Sequence, residues 1–122
     1  MAKIVVIEIG KSVVGAVIKN LGRPYAVVSY PREVHISEFK KIVKEAYQKI
    51  NDALSSNVDS SVDSDSSNNE VWLILSGPLA LIFQLGQIVG EVDNVKVLQY
   101  YNGEYHIVPS ISKDELNKWV SR

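Results

Sequence analysis

The sequence predicts a single α/β domain built on a mixed β-sheet, and three observations carry that expectation. Strand-length runs rich in β-branched residues, such as KIVVIEI at 3–9 and VWLIL at 71–75, alternate with segments whose apolar residues recur every three or four positions. The length of 122 residues fits one domain, 1–122, and an apolar fraction of 46% is enough for one core. A Ser-Gly-Pro break at 76–78 divides the longest apolar stretch into a strand-sized and a helix-sized piece.

The elements follow in chain order. KIVVIEI (3–9) and SVVGAVIK (12–19) are both β-branched and are separated by Gly10-Lys11, which predicts a hairpin. Asn20–Arg23 makes the next turn and PYAVVSY (24–30) a third strand, giving a meander. The period then changes: Phe39, Ile42, Val43, Ala46, Tyr47, Ile50, Ala53 and Leu54 form one helical stripe, with the Ser37 hydroxyl as its expected N-cap. Lys40, Lys41, Lys44 and Lys49 fall mainly on the other faces and read as solvated. Residues 55–70 are nearly all Ser, Asp and Asn, too polar to repay their ordering entropy, and are expected to form a mobile polar loop.

That loop carries a partial calcium pattern at Asp59, Ser61, Asp63, Asp65, Ser67 and Glu70. The pattern fails where Ser64 replaces the turn glycine and where a strand follows instead of a helix. Beyond it lie a buried strand from Val71, the Ser76-Gly77-Pro78 turn and a helix over 79–89. A hairpin of 95–101 with 104–108 is joined by Asn102-Gly103, and Ser112 with Glu115 forms a capping box for a last short helix. The resulting order, β-β-β-α-β-α-β-β-α, suits Rossmann-like or ferredoxin-like layers.

Composition excludes several function classes. Thirteen basic against 14 acidic side chains leave a net charge of −1, which argues against duplex nucleic acid as a partner. The absence of cysteine removes disulfides and thiolate chemistry and fits a reducing cytoplasm. No secretory signal is visible, and Gly77-Pro78 breaks the apolar run of 71–89, so that run reads as core rather than as a membrane span. Gly10-Lys11-Ser12 resembles the tail of a phosphate-binding P-loop. However, Val5 stands where another glycine is needed, and 12–19 reads as a strand where a helix should follow. With two histidines only, His35 and His106, a hydrolytic zinc site is not expected, nor is any metal or cofactor.

The candidate binding residues are Ser76, Gly77 and Pro78. A buried strand feeding a helix brings free N–H groups to the carboxyl edge of a sheet, where anions bind; the bland alternative is a tight corner that binds nothing. Lys11 and Ser12 are second-tier anion contacts. Lys11, Tyr101 and His106 are the candidates for a catalytic role, His106 as a general acid or base. Tyr100, Tyr101 and Tyr105 offer rings for stacking on bases.

The stretch VWLILSGPLALIFQLGQIVG, followed by VKVLQYYNGEYHIVP and a terminal helix, resembles two related groups over about residues 70–109. These are the small CRISPR-associated ring nucleases and the cyclic-oligonucleotide sensor domains of CRISPR-associated Rossmann and SAVED type. Ser76, Gly77, Pro78, Leu85 and Gly86 carry the match. The resemblance implies a homodimer that sets two such turns around a cyclic oligoadenylate in antiviral defence, either as a binder alone or as a binder that also cleaves the ring slowly without a metal. The catalytic pattern of the ring nucleases does not carry over, since Glu91-Val92-Asp93 and Tyr100-Tyr101-Asn102 stand at its places. The alternative is a non-catalytic protein-interaction module with no nucleotide ligand. Nucleotide binding predicts that Gly77→Val blocks the ligand and leaves the fold stable.

Overall fold

The computed structural model describes residues 2–55, 70–90, 92, 94–109, 111 and 113–120. Its elements are β1 (Lys3–Ile9), α1 (Val14–Asn20), β2 (Ala26–Tyr30), a single 3-10 turn (Ile36–Glu38), α2 (Phe39–Ser55), β3 (Val71–Ser76), α3 (Leu79–Val89), β4 (Val95–Tyr101), β5 (Glu104–Ile107) and α4 (Lys113–Val120). They form one α/β domain around a five-stranded mixed sheet of order β2-β1-β3-β4-β5, in which β5 alone runs antiparallel.

The second element corrects the sequence reading. SVVGAVIK is not a strand paired with β1: residues 14–20 are helical, and β1 pairs in parallel with β2, Val5 opposite Ala26 through Ile9 opposite Tyr30. The order is therefore β-α-β-α-β-α-β-β-α, with no meander. The physical reason lies in β1, where Ile4, Val5, Val6, Ile7 and Ile9 are all buried. A strand covered on both faces belongs at the centre of a parallel sheet, and a parallel neighbour requires a crossover rather than a two-residue turn. Of the two layerings expected, the order β2-β1-β3-β4-β5 corresponds to the doubly wound, Rossmann-like one.

Two apolar layers enclose the sheet. Val5, Ile7, Ile9, Val28, Val71 and Leu73 meet the stripes of α2 (Ile42, Val43, Ala46, Ile50, Ala53) and α3 (Leu81, Leu85, Val89). The opposite face is thinner, with Ile4, Val6, Ile74 and Leu98 packing on Val17 of α1. The apolar run from Val71 is thus β3 and α3 folded back on each other, and no helix among the described residues is long and apolar enough to cross a membrane.

Local details refine other expectations. The N-cap of the helical segment is His35 rather than Ser37: His35 Nδ1 accepts from the Ser37 N–H at 3.1 Å, and Glu38 Oε1 accepts from the His35 N–H at 3.2 Å. Asn102 and Gly103 both adopt positive φ, 59° and 89°, as the predicted two-residue hairpin requires. Residues 56–69, most of the polar loop and of the calcium pattern, lie outside the described residues, as does Ser112 of the capping box. Glu70, the last position of that pattern, accepts from Trp72 Nε1 at 2.9 Å.

Candidate functional site

The sheet order reverses direction at β1, whose chain continues to β2 on one side while β3 lies on the other. In an open sheet of this kind the crevice outside the carboxyl ends of those two strands is where ligands bind. The segment after β1 is Gly10-Lys11-Ser12 and the segment after β3 is Ser76-Gly77-Pro78. Both candidate segments therefore come to the same edge.

Between them, on the α1 side, a cleft of about 470 Å³ is lined by Lys11, Ser12, Ser76, Tyr100 and Tyr105 among others, over a floor of Ile74 and Leu98. Tyr100 and Tyr105 are cross-strand partners and meet edge to face at 5.1 Å between ring centres. Burial and the neighbouring Tyr100 push the Tyr105 phenol above its ordinary pKa, so it stays a neutral hydrogen-bond donor. A second hollow of about 400 Å³ shares Lys11 and Ser12 and extends over Gly10, Ser29, Tyr30 and Pro31.

Glu8 holds this edge together. It is the one charged or polar side chain that is buried among the described residues. In register it lies between Ser29 of β2 and Ser76 of β3. Glu8 Oε1 accepts from the Val13 and Val14 N–H groups at 2.7 and 3.1 Å, and Oε2 accepts from Ser29 Oγ at 2.7 Å. A more distant contact comes from Ser12 Oγ at 3.4 Å. Burial pushes the carboxyl up, but these donors together outweigh it and hold the pKa below the ordinary value. The first N–H groups of α1 are consequently satisfied by a resident carboxylate. The P-loop comparison gains the helix that the sequence reading denied it, yet fails on two counts: Val5 is a buried strand residue, and Glu8 fills the place of a phosphate.

The other candidates separate. Gly77 does not line the cleft. A Cβ at this position would stand 3.1 Å from both Cβ and Cγ1 of Ile9, so the glycine permits the turn to press against β1. This corrects the expectation for Gly77→Val, which must disturb packing whatever it does to a ligand. Pro78 is extended (φ −61°, ψ 136°) and stands as the N-cap of α3, whose first turn has no side-chain cap.

Tyr101 and His106 lie on the sheet face opposite the cleft, because strand residues alternate and Tyr100 and Tyr105 point into it. They form their own pair, 6.3 Å between ring centres, with His106 Nε2 3.2 Å from the Tyr101 carbonyl oxygen. The structure thus brings together Lys11, Ser12 and Ser76 with two tyrosines, and leaves both Tyr101 and His106 outside. Among the described residues no group of three or more His, Cys, Asp or Glu side chains is placed to hold a metal.

Glu8 and Ser29 were not singled out as site residues from sequence. The available signal was a carboxylate inside an otherwise apolar strand, followed four positions on by a serine. No family model, curated protein or solved structure matches this chain.

Proposed function

We propose that the protein binds a cyclic oligoadenylate at the carboxyl edge of its sheet, a pair of copies holding one ring between their clefts. The observation that carries this reading is the convergence of Lys11, Ser12 and Ser76, from two separate loops, with Tyr100 and Tyr105 around one cleft at the switch point of the sheet. The chemistry suits a nucleotide. Lys11 and the hydroxyls of Ser12 and Ser76 are donors for a phosphate, the tyrosine rings are a surface for an adenine, and the Tyr105 phenol adds a donor. The volume lies within the range of about 300–1,000 Å³ that small-ligand sites occupy. The chemistry supports binding more than cleavage, since Tyr101 and His106 face away from the cleft.

The test is calorimetric titration of the purified protein with cyclic tri-, tetra- and hexa-adenylate, with chromatography of each mixture for linear product. Binding of one ring that Lys11→Glu and Tyr100→Ala both weaken is the expected result, without product. Linear product would add slow cleavage to the reading. The absence of binding to every ring would leave the protein-interaction module, which the exposed Leu79 and Phe83 of α3 favour, as the better account.

A further inference from the structure

We infer, resting on the nucleotide reading above, that the smaller hollow beside Lys11 and Ser12 reads a ribose 2′-hydroxyl through Ser29, so that the protein takes a ribonucleotide ring in preference to its deoxyribonucleotide counterpart. Gly10, Lys11 and Ser12 form a ridge at the carboxyl edge of the sheet. The cleft that serves the phosphate and the adenine lies on the β3–β4 side of this ridge. The hollow of about 400 Å³ lies on its β2 side, and Lys11 and Ser12 line both spaces. The proposed function gives this second space no occupant.

The two sides of the ridge have opposite hydrogen-bonding characters. On the cleft side Lys11, the Ser76 hydroxyl and the Tyr105 phenol offer donors. On the hollow side the side-chain donors of β2 and the residue after it are spent. Ser29 Oγ donates to Glu8 Oε2 at 2.7 Å, and an ionised carboxylate has no proton to give back. The Tyr30 phenol donates to Glu45 Oε1 at 2.6 Å, and Pro31 has no N–H. On the ridge itself the Gly10 N–H is bonded to the Tyr30 carbonyl oxygen at 2.7 Å. With its proton directed at Glu8, the exposed Ser29 has only oxygen lone pairs to offer a ligand. The Glu8 charge beside it discourages a second phosphate there.

A wall of acceptors takes a hydroxyl or an amine. A cyclic oligoadenylate carries both, as the ribose 2′-hydroxyl and the 6-amino group of adenine. The hydroxyl is the one that fits. Its carbon adjoins the carbon that bears the phosphate, and the hollow adjoins the phosphate residues Lys11 and Ser12. The amino group lies at the far edge of the base, which belongs with Tyr100 and Tyr105 on the other side of the ridge. Ser29 is then a specificity residue, reading the one group that separates a ribose from a deoxyribose.

Calorimetry compares the cyclic tri-, tetra- and hexa-adenylates with the cyclic deoxyadenylates of the same sizes, on the native chain and on Ser29→Ala. A neutral hydrogen bond contributes about two- to tenfold in affinity, and a ring held between two copies makes this one twice. The expected result is a ribonucleotide ring bound at least about tenfold tighter than its deoxyribonucleotide counterpart by the native chain. In Ser29→Ala that preference should fall to about twofold or less. Circular dichroism checks that the variant is folded, and the comparison of the two rings on the native chain needs no variant at all. Equal binding of both rings by the native chain overturns the inference and leaves the nucleotide reading standing. So does a preference that Ser29→Ala leaves unchanged, which would place the 2′-hydroxyl elsewhere. An equal loss of both rings in Ser29→Ala overturns it too, since Ser29 would then meet the phosphate or the amino group. Binding of neither ring overturns both.

Discussion

Replacing Glu8 perturbs both the fold and the edge that carries the cleft. The carboxylate accepts two backbone N–H bonds and one serine hydroxyl at 2.7–3.1 Å. Hydrogen bonds to a charged group contribute about 1.5–3 kcal/mol each, against about 1 for neutral ones. Glu8→Gln keeps Oε1 for the two N–H groups and can donate to Ser29, so it loses the charge assistance of three bonds and regains part of the cost of burying a charge. A destabilisation of about 2 kcal/mol follows, or roughly 6–10 °C in melting temperature for a domain of this size. Glu8→Ala leaves three donors without that acceptor and must be worse, at about 4 kcal/mol.

The pH dependence gives the sign. The folded pKa lies below the unfolded value of 4.5, so the stabilisation is fully present above pH 4.5 and is lost as pH falls through the folded pKa. Urea unfolding of the native chain and Glu8→Gln, from neutral pH downwards, should show a stability difference that shrinks below pH 4.5. A difference that grows on acidification, or a Glu8→Gln chain within about 0.5 kcal/mol of the native one at pH 7, would refute the account of Glu8 as an ionised cap.

Three further outcomes can be measured directly. Gly77→Ala places a methyl 3.1 Å from two Ile9 side-chain atoms and should cost about 1–3 kcal/mol in urea unfolding, with Gly77→Val costing more; a neutral Gly77→Ala would show that the corner can open freely. Gly103→Ala forces a side chain into φ 89° in the hairpin turn and should cost about 1–2 kcal/mol, read from the same unfolding curves. Lys11→Glu, on an exposed loop position, should leave unfolding within about 0.5 kcal/mol of the native chain yet weaken adenylate binding about tenfold in calorimetry.

Most of the fold was legible because its period was strong. The stripe of α2 and the bounds of α3, β4 and β5 follow from spacing and from turn chemistry at Gly77-Pro78 and Asn102-Gly103. The failure at α1 has a definite cause. Val13, Val14, Val17 and Ile18 are β-branched and Gly15 is a poor helix former, so local preference favoured a strand. Tertiary structure overrides it: Glu8 caps the first turn, and the parallel pairing of β1 with β2 demands a crossover. The contrary signal was present in Val13, Val17 and Leu21, four residues apart, which meet the same face of the sheet. It was masked because two short β-branched runs around a Gly-Lys pair look like a hairpin.

That misreading also decides how the Ser76-Gly77-Pro78 turn should be understood. As part of a meander, Lys11 and Ser12 would have sat at a hairpin tip with no fixed relation to the turn. With β1 crossing over to β2, they stand beside it at the switch point, and the turn's residues separate by position. Gly77 is the corner, kept small by Ile9. Ser76 is the part that faces the cleft, in register with the Glu8 carboxylate that already fills the first turn of α1. On the proposed reading, an anion entering here would meet the resident negative charge at α1, and its phosphate is expected at Lys11, Ser12 and Ser76 instead. If the cleft holds the proposed anionic ligand, relieving that charge separates fold from function: Glu8→Gln is expected to weaken the domain in urea unfolding and to tighten adenylate binding in calorimetry, a combination that a purely structural corner would not produce.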